Sequence, residues 1–389
     1  MKLNREYPHI QFSRQWKLSD YGNRLLGQCE AYVKAIKGTP IEPQHYMKLM
    51  QVSLIKGAQA TTAIEGNTLT IEEIEKVNIG EKLPPSKKYQ EIEVNNILEA
   101  FSELLRETIY DGLDSLICPE LLLRFHKLVG KELGEHFAAI PGKFRENDVT
   151  VGRYRCPDHR DVISLVDQLC SWLRTEFNYE SGKQEFKDIL IQAIITHVYI
   201  EWIHPFGDGN GRTGRLVEFY ILLRGGFPNI VLQILSNHYN MTRSEYYRQL
   251  EKAGDTRSLT EFIEYALLGF RDGLEQILET IQLSQLENTW KTHIYDTFSK
   301  LPQMQKEVFN RRKELALKFP LNASATISEI PKLQIDLAYT YSGISERTLI
   351  RDIEELVKIT LLKKDGNRYS PNISLLNGKM PLHKGRKTL

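Results

Sequence analysis

His204-Pro205-Phe206-Gly207-Asp208-Gly209-Asn210-Gly211-Arg212-Thr213-Gly214-Arg215 is the stretch whose reading decides the chain. Upstream, Phe186, Ile189, Leu190, Ala193, Ile194, His197 and Val198 recur at i, i+3, i+4, i+7, which predicts a helix with one apolar face. Downstream, the spacing predicts a second helix from about Arg212 to Arg224, stopped by Gly225-Gly226. The quoted stretch is therefore a glycine-rich turn between two helices. Glycines let backbone N–H groups come close to a ligand, and at a helix start those groups favour an anion. Arg212 and Arg215 lie one turn apart and can address neighbouring phosphates. Asp208 offers a hard oxygen suited to Mg²⁺ on phosphates, and His204 is a neutral-pH base just before the cradle. Together they describe a polyphosphate site with a metal ligand and a general base.

Within the stretch, Gly209 to Gly214 also fits the dinucleotide pattern G-x-G-x-x-G. That pattern follows a strand and is answered by an acid about twenty residues on. Here a helix precedes it and no Asp or Glu occurs from Phe219 to Arg243, so the Rossmann reading is excluded; no phosphate-binding G-x-x-x-x-G-K-[ST] loop occurs either.

The complete string resembles the signature of the Fic family, HPFx[D/E]GNGRxxR, with every fixed position present. The resemblance implies an all-helical core with a β-hairpin flap, and transfer of AMP from ATP to a protein hydroxyl. It implies that His204 deprotonates the hydroxyl that attacks the α-phosphorus. Asp208 would hold Mg²⁺ on the α- and β-phosphates. Gly207 and the run Gly209, Asn210, Gly211, Arg212, Thr213, Gly214 and Arg215 would wrap the phosphates, with Arg215 on the γ-phosphate. Phe206 would pack beneath the loop.

The likeness extends beyond the signature. Pro141 to Arg145 followed by Val149, Thr150, Val151 and Gly152 looks like the family's flap, whose edge can hold a target segment by strand pairing. Arg243-x-x-Tyr246-Tyr247-x-x-Leu250 resembles the segment lining base and ribose, although the Asn that often follows is missing around Lys252 to Asp255. A tyrosine pair at helical spacing also suits a core. Thr61-Thr62-Ala63-Ile64-Glu65-Gly66-Asn67 resembles the inhibitory motif [S/T]xxxE[G/N] of self-inhibited members. Its Glu65, with Thr61 and Gly66, would pair with Arg215 and take the place of the γ-phosphate. Thr70 to Glu73 reads as the N-cap of the next helix.

Beyond about residue 285 charged helix-forming sequence runs to Lys318, where Phe319-Pro320 breaks it. Ile335–Tyr341, a Ser342-Gly343-Ile344 turn, Ser345–Val357 and Leu361–Tyr369 then read as helix, turn, helix and two-stranded wing. Arg347, Thr348 and Arg351 could reach DNA, whereas Glu346, Asp352, Glu354 and Glu355 offset their charge, so DNA and protein partners both remain open.

The expected class is mainly all-α: an N-terminal region with the inhibitory helix (1–110), a Fic-type catalytic domain (111–285), a winged helix (286–377) and a basic tail (378–389). A chain of 389 residues is long enough for two or three domains. Its net charge of +1 creates no global pull toward nucleic acid or membrane. Cys29, Cys118, Cys156 and Cys170 form no C-x-x-C pair and read as reduced thiols of a cytoplasmic protein. The start of the sequence lacks an apolar leader, and Ile189–Ile203 is too short and too polar to span a membrane. The expected partners are a target protein, including the chain itself, and a second copy in a homodimer. Two other readings stand beside transfer: a regulator working through the winged helix, and the reverse reaction, in which Glu65 aligns water to remove AMP.

Overall fold

The structure, a computed structural model, describes residues 6–110, 116–177 and 184–376. The first residues after the expected boundary at 110/111 and the expected basic tail lie outside those residues. The chain divides into one compact unit ending at Leu278 and another beginning at Glu279.

The first unit is helical. It contains α1 (Asp20–Gly38), α2 (Pro43–Ala63), α3 (Ile71–Asn78), α4 (Lys88–Tyr110) and α5 (Pro119–Val129). A two-stranded hairpin follows, β1 (Thr150–Val151) and β2 (Tyr154–Arg155), paired Thr150 to Arg155 and Val151 to Tyr154. Then come α6 (Val162–Glu176), α7 (Phe186–Ile203), α8 (Asn210–Arg224), α9 (Ile234–Met241), α10 (Arg243–Thr256) and the first half of α11 (Thr260–Ser299), whose residues from Glu279 on belong to the second unit. Helix α2 carries Pro43 in its first turn, where a missing N–H costs nothing. Thr70 and Glu73 form a reciprocal capping box at the start of α3.

Helix α7 departs from the one-faced expectation. From Ile189 to Ile203 every residue except Glu201 is buried, the polar Gln192, Thr196 and His197 among them. A helix apolar on all sides belongs at the centre of a bundle, and α7 packs on α1, α6 and above all α8. Each of its buried Ile and Leu side chains contributes about 1.5–3 kcal/mol relative to exposure. Helix α8 is buried from Asn210 to Leu223 and also meets α2, α4 and α5. The α7–α8 turn is thereby held on a rigid frame.

The second unit contains α12 (Lys306–Lys318), α13 (Ile335–Thr340), α14 (Glu346–Lys358) and the antiparallel pair β3 (Leu362–Asp365) and β4 (Arg368–Pro371). The helical run expected to reach Lys318 is interrupted between Ser299 and Lys306, where Pro302 removes an N–H and disfavours helix before it. Ser345 caps α14 by accepting from Thr348 N. Ala325 pairs with Tyr369 as a single antiparallel bridge. Trp290, Phe319, Ile330, Leu349, Ile353 and Leu361 belong to its core. Among the described residues no helix is long and apolar enough to cross a membrane.

Candidate active site

His204 ends α7 in the left-handed conformation, φ 49° and ψ 60°, and Pro205 prevents the helix from continuing. This turns the imidazole out of the helix toward a cleft of about 970 Å³ that it lines with the flap residues Val151 and Gly152 and with Tyr247. His204 Nδ1 lies 3.4 Å from Glu201 O, an arrangement that assigns the ring proton to Nδ1 and leaves Nε2 as a free base. Burial pushes the imidazole down to about 4, so it is neutral at physiological pH. Arg145, absent from the sequence-derived set of site residues, pins this corner. Its side chain donates to His204 O (2.8 Å), Asn147 O (2.9 Å) and Pro157 O (2.5 Å), joining His204 to the base of the flap.

The loop after His204 is tied to itself and to α5. Asn210 accepts from Phe206 N and donates to Phe206 O, both at 2.9 Å, so both ends of its amide are engaged. Phe206 is fully buried and stacks on His126 with centroids 3.8 Å apart. His126 accepts from Gly142 N on Nδ1, which leaves its proton on Nε2 to donate to Asp208 O; both distances are 3.0 Å. No motif signalled His126. Gly209 has φ +77°, and a side chain there would meet Phe137; a methyl at Gly211 would overlap Glu65. Thr213 and Gly214 are sealed inside α8, Gly214 against His197, so they shape the cradle from within.

Asp208 stands at the mouth of the cradle with its side chain 30% exposed. Its carboxylate accepts from Gly209 N (2.5 Å), Arg212 Nη2 (2.8 Å) and Ala138 N (3.3 Å). Arg212 also pairs with the buried Glu93 and lies over the Phe137 ring, 5.4 Å from its centroid. Burial holds Glu93 above its ordinary value despite Arg212.

Arg215, one turn on, has a side chain only 1% exposed. It donates to Thr61 Oγ1 (2.6 Å), Thr61 O (2.9 Å) and Glu65 Oε1 (2.7 Å). Burial alone would raise Glu65, but the charge of Arg215 and the hydrogen bond outweigh it and hold the carboxyl below its ordinary value. Glu65 follows the C-terminus of α2, and Gly66 beyond it has φ +101°. Asn67 then donates to Glu93 Oε2 (3.0 Å), so one short segment reaches Arg215 directly and Arg212 through Glu93. The sequence singled out Thr61, Glu65 and Gly66 but gave no role to Asn67 or Glu93. Glu201 is half-buried, with its Oε1 buried and unpartnered, and is pushed up to about 7 by burial and then by the charge of Glu65.

Residues 116–222 match the Fic/DOC family model. Over that segment the chain is similar to Fic domains. Around it, 205 residues are 29% identical to protein adenylyltransferase fic-1 of Caenorhabditis elegans, covering 52% of this chain and 37% of that one. Another 29% identity, over 207 residues, links it to protein adenylyltransferase Fic of Nematostella vectensis, with 52% and 44% covered. The chain thus spans well under half the length of these curated relatives. Two solved structures share the fold: a Fic family protein from Desulfovibrio desulfuricans G20 (TM-score 0.56, 20% identity, 92% of this chain and 98% of that one) and Fic-1 from C. elegans (0.54, 21%, 68% and 73%).

In this chain the hairpin is short and tightly latched. Val151 and Gly152 stand on the cleft wall, whereas Val149 and Thr150 are not part of it. Tyr247 is 44% exposed and lines the cleft, with its hydroxyl donating to Ile64 O at 3.3 Å. Tyr246 corrects the expectation of a direct nucleotide contact. It is 1% exposed and its hydroxyl is bonded to His197 at 2.9 Å, so it belongs to the core behind the arginines.

Proposed function

We propose that the chain is an adenylyltransferase that moves AMP from ATP to a hydroxyl of a protein, the chain itself included, and that Glu65 restrains it. The observation carrying this reading is the sealed Arg215: a buried guanidinium at an anion-binding helix start, closed by a carboxylate from another segment. The curated relatives are named protein adenylyltransferases, which supports AMP as the group moved.

In this reading the first turn of α8, Arg212 and Arg215 hold the triphosphate, and the γ-phosphate takes the position of the Glu65 carboxylate on Arg215. The neutral His204 takes the proton of the attacking hydroxyl as oxygen bonds to the α-phosphorus and pyrophosphate leaves. Asp208 fits a Mg²⁺ ion: it is one anchored, part-exposed carboxylate, the kind of partner such an ion uses when phosphates supply the other oxygens. Bound there, the ion would neutralise phosphate charge. The flap would present a backbone edge to the target. A second copy as partner and a cytoplasmic site of action belong to the same proposal.

The test is transfer from α-labelled and γ-labelled ATP by Glu65→Gly protein. Label from the α position alone supports adenylyl transfer, while label from the γ position would mean phosphoryl transfer. The reverse reaction is read in the same experiment, as loss of AMP from already modified protein.

A second reading concerns the winged-helix unit. Asp352, which the sequence sets against the basic charges of α14, is 1% exposed and paired with Arg311 (2.6 Å) and Arg312 (2.8 Å). Arg347 and Arg351 stay exposed on α14, and Lys363, Lys364 and Arg368 on the strands. That face suits a DNA backbone better than the sequence count implied.

A further inference from the structure

The residues before α1 were unassigned by any motif, yet they border the cleft. Tyr7 donates to Asp161 Oδ2 and accepts from Asp158 N, both at 2.9 Å, next to the hairpin. Gln15 bonds Tyr199 OH (2.6 Å) and Arg257 O (3.3 Å), and Phe12 stacks on Tyr199. Between these anchors His9 reaches the cleft wall, together with Gly254 and Asp255 in the last turn of α10 and Arg257 just beyond it.

The protons of His9 can be assigned. Tyr154 OH donates to Trp202 O at 2.7 Å, which uses its only proton. His9 Nε2, 2.8 Å from the same hydroxyl, must therefore be the donor. Burial pushes the ring down to about 4, so it is neutral and carries that one proton. Nδ1 is then a bare acceptor. It has no partner among the described residues, yet it is not one of the buried unpartnered atoms, so it is open to solvent while the ring is fixed edge-on between Tyr154 and Trp202. A neutral acceptor held at a set angle on a cleft wall selects for a donor on the ligand and against a molecule lacking it.

We infer that His9 is a specificity residue of the nucleotide cleft, its Nδ1 accepting a hydrogen bond from a donor on the nucleoside, either the exocyclic amine of the base or a ribose hydroxyl. The inference rests on the adenylyltransferase reading. It makes the segment from Tyr7 to Gln15 part of the active site, since this segment latches the flap and supplies a ligand contact.

The test uses full-length protein carrying Glu65→Gly, with ATP, purine riboside triphosphate (which lacks the amine), and 2′-deoxy- and 3′-deoxy-ATP. The parent is expected to favour ATP over one of these analogues by about tenfold in kcat/KM, the size of one hydrogen bond. The analogue that loses identifies the donor. His9→Phe should erase that preference by raising KM for ATP while kcat stays within about twofold. His9→Asn, which can still donate to Tyr154 and accept from the ligand, should keep it. Thermal midpoints of both variants separate this effect from loss of the latch. A parent with no preference, or His9→Phe that keeps it at full strength, would overturn the inference and leave the transferase reading intact. A parent that neither binds ATP nor carries α-label would overturn both.

Discussion

Two residues, His126 and Glu65, carry the sharpest consequences. His126 has its folded value depressed from 6.5 to about 4 by burial, so on acidification the unfolded chain takes up a proton before the native one does. Its contribution is complete above pH 6.5 and is lost as pH falls toward 4, the loss reaching about 3 kcal/mol at pH 4. Protonation would also set Nδ1–H against Gly142 N–H and strain the loop that holds Asp208. Urea unfolding at stepped pH should show that decline, and His126→Gln should flatten it while lowering stability at pH 7. An unchanged slope in His126→Gln would contradict the assignment. At Arg215, removing Glu65 strands a buried charge. Glu65→Gly should therefore cost about 1–3 kcal/mol without nucleotide, less than a fully sealed pair because the outer edge of Glu65 is already wet. Saturating ATP should raise the melting temperature of Glu65→Gly more than that of the unsubstituted protein, since phosphate then answers Arg215. Equal shifts would mean that Glu65 and ATP do not compete.

Among the elements, the α7–α8 pair was legible because its signals are local: an apolar period, a glycine-rich turn and a Gly225 stop. The hairpin and the Thr70 cap were legible for the same reason. Asn67, Glu93, His126 and Arg145 were not, because each acts through a partner far away in sequence, such as Glu93 with Arg212 or Arg145 with His204 O. No spacing rule encodes such pairings. The amphipathic reading of α7 failed because its polar members, Gln192, Thr196 and His197, are buried among other helices. The flap depends on one of these hidden residues. Arg145→Met should cost about 2–4 kcal/mol in lost charged hydrogen bonds and speed hydrogen exchange at Thr150 to Cys156. Unaltered exchange there would show that the flap is held elsewhere.

At the scale of the whole molecule, two compact units suggest two separable activities. If the second unit binds DNA, Arg347→Ala and Arg351→Ala should each reduce the salt slope of binding by about one and leave adenylyl transfer untouched. Loss of transfer with unchanged DNA affinity would reverse that division of labour. The central claim is that a complete transferase site is held closed by Glu65 on Arg215, and intact-protein mass after incubation with ATP and Mg²⁺ tests it most directly. Glu65→Gly protein should gain the mass of AMP, unsubstituted protein far less, and Glu65→Gly with His204→Ala none. Equal gain with and without Glu65, or gain that survives the loss of His204, would contradict the account.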